Sequence, residues 1–174
     1  SEQHSVDVIR MLTHFRTPET CDAILEVMKG MEPDDERYET VLELFASLSD
    51  VWAGNAAGYA AMGEAVLLPL IKACRMSGVR IKETILLEHF RNASVEVKRE
   101  IVMNAPFIID GTGAAIIKEA IGDTDGHIKG FAVEAAGSLG LKQLGEDIAG
   151  ILKNDFHDVR VKALKTLIHL DPDA

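Results

Sequence analysis

Apolar side chains recur along this chain at helical spacing, and the whole pattern recurs every 31 residues. Shifting the sequence against itself by that distance aligns three copies without gaps over residues 79–174. In the first copy, apolar residues follow Val97 at offsets of 4, 5, 8 and 11, which form one stripe of a 3.6-residue helix. Leu86 and Phe90, four residues apart, form a shorter stripe before it. Each copy therefore predicts a short helix A, a turn and a longer helix B.

Equivalent positions of the three copies hold similar apolar residues, and turn-forming residues separate the two stripes at 92–94, 123–126 and 154–158. A helical hairpin cannot bury its apolar faces alone, so neighbouring hairpins must stack. The aligned positions are Leu86, Ile117, Ile148; Phe90, Ile121, Leu152; Val97, Ile128, Val159; Ile101, Ala132, Ala163; Val102, Val133, Leu164; Ala105, Ala136, Leu167; and Ile108, Leu139, Leu170.

Residues 1–78 show a degenerate form of the same pattern. Ile24 and Met28 predict a helix A, and a helix B follows after a two-residue shift in the acidic loop 32–36. The opening residues have helix B spacing without a helix A before them, at Val8, Ile9, Leu12 and Phe15. We therefore predict an all-α fold of about five two-helix repeats, forming a single solenoid domain over residues 1–174 that is a fragment of, or module in, a longer protein.

The start of helix B carries a family resemblance. The tripeptide Asp158-Val159-Arg160, echoed by Glu96-Val97-Lys98 and His127-Ile128-Lys129, resembles the HEAT repeat. The 31-residue length is similar to the short HEAT-like repeats of the armadillo-type superfamily, including those of phycobilisome lyases. This resemblance implies a right-handed α–α superhelix with helices B on its concave side. It also implies an inter-repeat ladder of charged residues at Lys98, Lys129, Asp158 and Arg160, in which Asp158 reaches Lys129.

Charge and cysteine content narrow the classes of function. The net charge is −10, and residues 1–50 hold 12 acidic and 4 basic side chains. Because nucleic-acid binding needs clustered cations and anionic membranes repel acidic chains, we expect neither nucleic-acid nor membrane binding. Cys21 and Cys74 are far apart and belong to no CxxC pattern, which favours a reducing, cytoplasmic location.

The chain offers no convincing catalytic or metal-binding motif. Residues 110–113 read Asp-Gly-Thr-Gly, but a dinucleotide loop needs a third glycine and a preceding strand. Residues 123–134 lack the glycine that a calcium loop requires at its sixth position. The His-Glu dipeptides of iron-binding HEAT-repeat hydroxylases do not occur in the sequence. We therefore predict a non-enzymatic protein without cofactor or metal.

The outward positions of helix B give the best candidate site. Offsets of 3, 6 and 10 from Val97 and its equivalents lie opposite the buried stripe. They predict an exposed apolar patch that grades into a basic end, formed by Glu100, Met103, Phe107, Phe131, Glu134, Lys162, Lys165 and His169. Exposed aromatic and methionine side chains are common anchors of protein interfaces. We therefore expect a scaffold or adaptor that binds an unidentified protein partner. The alternatives are a HEAT-like enzyme of lyase or hydroxylase type with its site in the same groove, and a regulatory domain of a larger protein.

Overall fold

The computed structural model describes residues 2–32, 34–153 and 155–172. The described chain is helical apart from two strands of two residues each, so the predicted all-α class is confirmed. It divides into two compact units, Ser1–Arg80 and Ile81–Ala174. This division lies close to residue 79, where the sequence pattern becomes regular. The single domain and the right-handed superhelix stay predictions.

The first unit consists of helices of unequal length. They are α1 (Glu2–Leu12) with a following 3₁₀ turn (Thr13–Phe15), α2 (Pro18–Lys29), α3 (Tyr38–Ser47), α4 (Ser49–Trp52), a 3₁₀ turn (Ala53–Asn55), α5 (Ala56–Ala60) and α6 (Glu64–Ser77). Helix α2 begins where Pro18 takes the first helical position and the Thr17 hydroxyl accepts a hydrogen bond from the Thr20 amide. The pairs α2–α3 and α5–α6 are its helix A and helix B hairpins.

An aromatic cluster fills the core of the first unit. The rings of Phe45 and Trp52 stack with centroids 5.1 Å apart, and Tyr59 meets Phe45 edge-on at 6.4 Å. The Trp52 indole N–H donates to the Phe45 carbonyl at 2.8 Å, while the Tyr59 hydroxyl donates to Asp22 at 2.9 Å. Trp52 and Tyr59 therefore bury their rings and still satisfy their polar groups.

Helix α1 departs from the prediction. Val6 and Ile9 are its buried residues, whereas Val8 is 53% and Phe15 is 71% exposed. The helix packs against α3 through one narrow stripe, and Val8 lies two residues, or about 200°, away from Val6 on the helical wheel. Phe15 lies in the 3₁₀ turn after α1, where the α-helical periodicity has ended.

The second unit contains three hairpins at the predicted places. Its elements are β1 (Ile81–Lys82), α7 (Glu83–Asn92), α8 (Val95–Ile108), β2 (Ile109–Asp110), α9 (Ala114–Ile121), α10 (Gly126–Ser138), a 3₁₀ turn (Lys142–Leu144), α11 (Gly145–Ile151) and α12 (His157–Leu170). Helices α7, α9 and α11 are helices A, and α8, α10 and α12 are helices B. The strands pair in parallel, with Ile81 opposite Ile109.

Residues 31 positions apart occupy equivalent places in these hairpins. Val97, Ile128 and Val159 are all buried near the start of helix B. The α8–α10 and α10–α12 pairs make the largest helix contacts of the unit. Leu164 departs furthest from this pattern: it is 52% exposed, although its equivalents Val102 and Val133 are fully buried. Three other leucines at the aligned positions are half-buried, namely Leu139, Leu152 and Leu167. Helix α8 packs on α10 and α10 packs on α12, but no described helix follows α12 to cover Leu164.

Candidate functional site

The predicted partner-binding residues lie on the outer side of the three helices B of the second unit. Met103 and Phe107 on α8 are 39% and 50% exposed, and Glu134 on α10 is also exposed. On α12, Lys165 and His169 are exposed while Lys162 is half-buried. Most of the predicted residues line two separate depressions rather than one continuous patch, and Phe107 and Lys162 line neither of the two.

The first depression is a groove of about 620 Å³ between α8 and α10. Its lining contains two predicted residues of α8, Glu100 and Met103, and one of α10, Phe131. Three further lining residues, Val95, Glu96 and Arg99, come from the first turns of α8 and were missed from the sequence. A signal for two of them was present, because counting back from Met103 by 4 and by 7 positions reaches Arg99 and Glu96 on the same helical face. Phe107 does not line this groove.

The groove is acidic because Arg99, the cationic side chain in its lining, is already paired with Asp125. Arg99 donates to both carboxylate oxygens of Asp125, at 2.6 and 3.3 Å. Its hydrogen bonds, with those of the Ile128 and His127 amides, lower the pKa of Asp125 from 3.8 to about 2. Glu96 has no ion pair in the described part of the chain, and Glu100 accepts one hydrogen bond from the Asn104 amide group at 2.9 Å. Two carboxylates therefore face an apolar floor.

Lys162 on α12 contacts Phe131 but does not line the groove. Its ammonium group lies 3.2 Å from the Glu134 carboxylate and 5.4 Å from the centre of the Phe131 ring. This cation–π contact leaves Phe131 only half-exposed. Lys162 is therefore not part of a free basic end, as the sequence suggested, because Glu134 offsets its charge.

The second depression, of about 270 Å³, lies between α10 and α12. It is lined by Glu134, Gly137, Ser138, Lys165, Thr166 and His169. Gly137 permits the close approach of the two helices, since a Cβ atom there would lie 3.3 Å from Thr166 Cγ2. Lys165 and His169 are the predicted basic residues that remain available here, because neither has an ion pair among the described residues.

The inter-repeat ladder exists, but one of its partners differs from the prediction. Lys98 binds Asp123 at 3.3 Å, and Lys129 binds Asp155 at 2.5 Å. Each lysine reaches the turn that precedes the next helix B, so Asp158, inside the first turn of α12, is not the partner of Lys129. Asp158 and Arg160 are exposed and form no ion pair within the described residues.

Other motifs in the second unit have structural partners. The Glu83 carboxylate accepts hydrogen bonds from the Gly113 and Ala115 amides, at 3.0 and 2.9 Å. The glycine loop at 110–113 therefore holds an internal carboxylate at the start of α9, where a phosphate loop would hold its ligand. Arg91 on α7 and Glu119 on α9 form a second, surface ladder, continued by Lys118 and Asp147.

The cysteines of the first unit are buried and poorly suited to nucleophilic chemistry. Burial raises the pKa of Cys21 to about 11 and that of Cys74 to about 12. A thiol with so high a pKa is almost wholly protonated at neutral pH. Among the described residues, no group of three or more His, Cys, Asp or Glu side chains is arranged to hold a metal ion. Within the same residues, no helix has the length and apolar character needed to cross a membrane.

Comparisons with protein-family models, curated proteins and solved structures find no match to this chain. The HEAT-like resemblance therefore stays a prediction that depends on the residues of helix B.

Proposed function

We propose that this protein is a non-catalytic interaction module that binds a segment of a partner protein in the groove between α8 and α10. The observation that carries the proposal is the combination of exposed Met103 with half-exposed Phe131 on the groove floor and two carboxylates, Glu96 and Glu100, beside them. Methionine and aromatic side chains supply adaptable apolar contact area. The carboxylates select for charge on the partner.

The partner segment that fits this groove has an apolar anchor and flanking Lys or Arg side chains. The anchor contacts Met103 and Phe131, while the cations pair with Glu96 and Glu100. Arg99 does not oppose such a segment, because Asp125 neutralises its charge. Like charges across an interface are unfavourable, which disfavours acidic segments and nucleic acid. The buried thiols are compatible with our proposal of a cytoplasmic location.

Selection from a randomised peptide display library tests this proposal even while the partner is unidentified. We expect enriched peptides to carry a large apolar residue flanked by Lys or Arg. Nuclear magnetic resonance shift mapping places them on residues 95–103 and 131. Met103→Ala and Glu100→Gln each weaken binding at least tenfold, which corresponds to about 1.4 kcal/mol.

Met76→Ala is the matched control, because Met76 is 48% exposed on α6 and lies outside the groove. This variant should bind with unchanged affinity, and all three variants should keep the melting temperature of the parent protein. Enrichment of acidic peptides, shifts confined to other surfaces, or an unchanged affinity of Met103→Ala would each contradict the proposal.

A further inference from the structure

The two depressions of the second unit differ in the sign of their available charge. In the groove between α8 and α10, the carboxylates of Glu96 and Glu100 have no cation to pair with among the described residues, because Arg99 binds Asp125. The depression between α10 and α12 is the reverse case, because there the carboxylate is the group that is paired. The sign of the available charge therefore changes across α10.

Lys165 supplies the available charge of the second depression. The Glu134 carboxylate lies 3.2 Å from the ammonium group of Lys162, so these two charges offset each other. Lys165 and His169 line the same depression, are both exposed and have no ion pair among the described residues. Lys165 therefore presents a positive charge to solvent, and His169 adds a ring nitrogen that can form a hydrogen bond.

The hydroxyl groups in the lining of this depression already have acceptors. Ser138 donates to the Glu134 carbonyl at 3.1 Å, and Thr166 donates to the Val133 carbonyl at 3.2 Å. Hydroxyl protons that are bound to backbone carbonyls do not also bind an anion, so the selectivity of the depression depends on Lys165. A carboxylate is the side-chain group that complements it.

The exposure of Lys165 and His169 follows from their position in the repeat. The equivalent positions of α8 and α10 are exposed as well; they are Met103, Phe107, Glu134 and Ser138. Helix α8 packs against α10, and α10 packs against α12. Packing of one helix B on the next therefore leaves these outward positions open.

The two depressions are close enough for one short segment to reach both. Phe131 lines the groove and Ser138 lines the second depression, so the two lie about 10 Å apart along the axis of α10. The depressions also lie on opposite sides of α10, and the spacing of packed helices adds up to about 10 Å across it. The separation is therefore roughly 10–15 Å, which an extended chain covers in three to five residues.

We propose that the partner segment is bipolar, with its apolar anchor and its Lys or Arg side chains in the groove and an Asp or Glu side chain, about three to five residues away, bound to Lys165. This inference rests on the proposed function and adds to it the position of an opposite charge. The segment crosses α10 in one direction only, because the reverse direction would place its carboxylate beside Glu96 and Glu100.

Peptide display on two forms of the whole chain, the parent protein and Lys165→Glu, tests the proposal. The parent protein should enrich peptides with an apolar residue flanked by Lys or Arg and with Asp or Glu at a fixed distance on one side. Lys165→Glu should enrich the same apolar and basic residues, but with Lys or Arg in place of the acidic residue. Because Lys165 is exposed, the two forms should have the same melting temperature by circular dichroism.

The affinity of a selected peptide measures the contact directly. The tightest binder of the parent protein is compared by calorimetry with its neutral form, in which Asn or Gln replaces the acidic residue. Lys165→Glu should weaken the acidic peptide about three- to tenfold and change the affinity of the neutral peptide by less than about twofold. The difference between the peptides should shrink as the salt concentration rises, because salt screens exposed charges.

Lys142→Glu is the matched control. Lys142 is exposed in the 3₁₀ turn between α10 and α11 and lines neither depression, so this variant changes the net charge equally and should bind both peptides like the parent protein.

Two results overturn the bipolar segment and leave groove binding intact. One is that peptides bound in the groove lack an acidic residue at a fixed distance from the anchor; the other is that Lys165→Glu weakens the acidic and neutral peptides equally. Peptides that map outside the groove, or that bind Met103→Ala with unchanged affinity, overturn groove binding and the bipolar segment together.

Discussion

The two units reach the same hairpin layout with different side chains. In the second unit α10 and α12 approach through small residues: Ala132 and Ala163 are fully buried, and a Cβ atom at Gly137 would lie 3.3 Å from Thr166 Cγ2, whereas α8 has Ile101 at the equivalent position. In the first unit large rings fill the core, and the helix A of its second hairpin is divided into α4, a 3₁₀ turn and α5. A small-residue contact requires a strict period, whereas a large ring can fill the space that an irregular helix leaves.

The largest effect is expected from the ring at the centre of the first unit. Trp52→Ala removes a fully buried side chain and leaves a cavity against Phe45, whose carbonyl also loses its indole donor. We expect a loss of about 3–5 kcal/mol in the free energy of unfolding, measured by urea denaturation with circular dichroism. Hydrogen exchange should rise mainly within residues 1–80, because the cluster lies inside that unit.

Met62→Ala is the control for this change, since Met62 is 49% exposed in the same unit and its truncation should alter stability by less than about 0.5 kcal/mol. A Trp52→Ala variant as stable as Met62→Ala would show that the aromatic cluster does not hold the first unit together.

A smaller effect is expected from overpacking in the second unit. Ala132→Phe places a ring where α10 has no free space, so it forces the helices B apart and costs about 1–3 kcal/mol. Hydrogen exchange should increase most over residues 83–170, because stacked repeats interact mainly with their neighbours. Ala115→Phe on the exposed side of α9 is the matched control and should be nearly neutral. An increase spread evenly over both units would contradict the repeat packing.

The sequence predicted the buried architecture better than the surface. Offsets from Val97 located the buried face of each helix B, because burial alone imposes the 3.6-residue period. The same period did not predict that Leu164 is exposed, since a residue's burial depends on whether another helix covers it. The aromatic cluster was outside the pattern altogether, because the stacking of Trp52 on Phe45 depends on the turn that follows α3.

Only part of the candidate site was predicted, again because packing between helices decides the rest. Met103 and Glu100 follow from the outward helical face, and both line the groove. The role of Lys162 could not be predicted, because its position over Phe131 depends on the distance between α10 and α12. The Asp158 assignment failed because a lysine has the length to reach the preceding turn, where Asp155 lies.

The smallest effect on stability is expected at the turns between helix A and helix B, which recur regularly only in the second unit. Asp125 caps α10 by accepting from the His127 and Ile128 amides, and it also binds Arg99. Its pKa in the folded protein is about 2, below the ordinary 3.8, so the ionised carboxylate stabilises the fold. This contribution is complete above about pH 4–5 and is lost as the pH falls through the folded pKa.

Asp125→Asn keeps an acceptor for the cap but removes the charge. We therefore expect it to lose up to about 1 kcal/mol at pH 7, and the stability gap to the parent protein should close between about pH 4 and pH 2. Urea denaturation at several pH values measures this gap. Asp158→Asn is the matched control, because Asp158 is exposed and unpaired among the described residues, and its gap should be smaller throughout. If the two variants differed from the parent protein by the same free energy of unfolding, Asp125 would contribute no more than a surface charge. The regular turns would then not stabilise the second unit relative to the first.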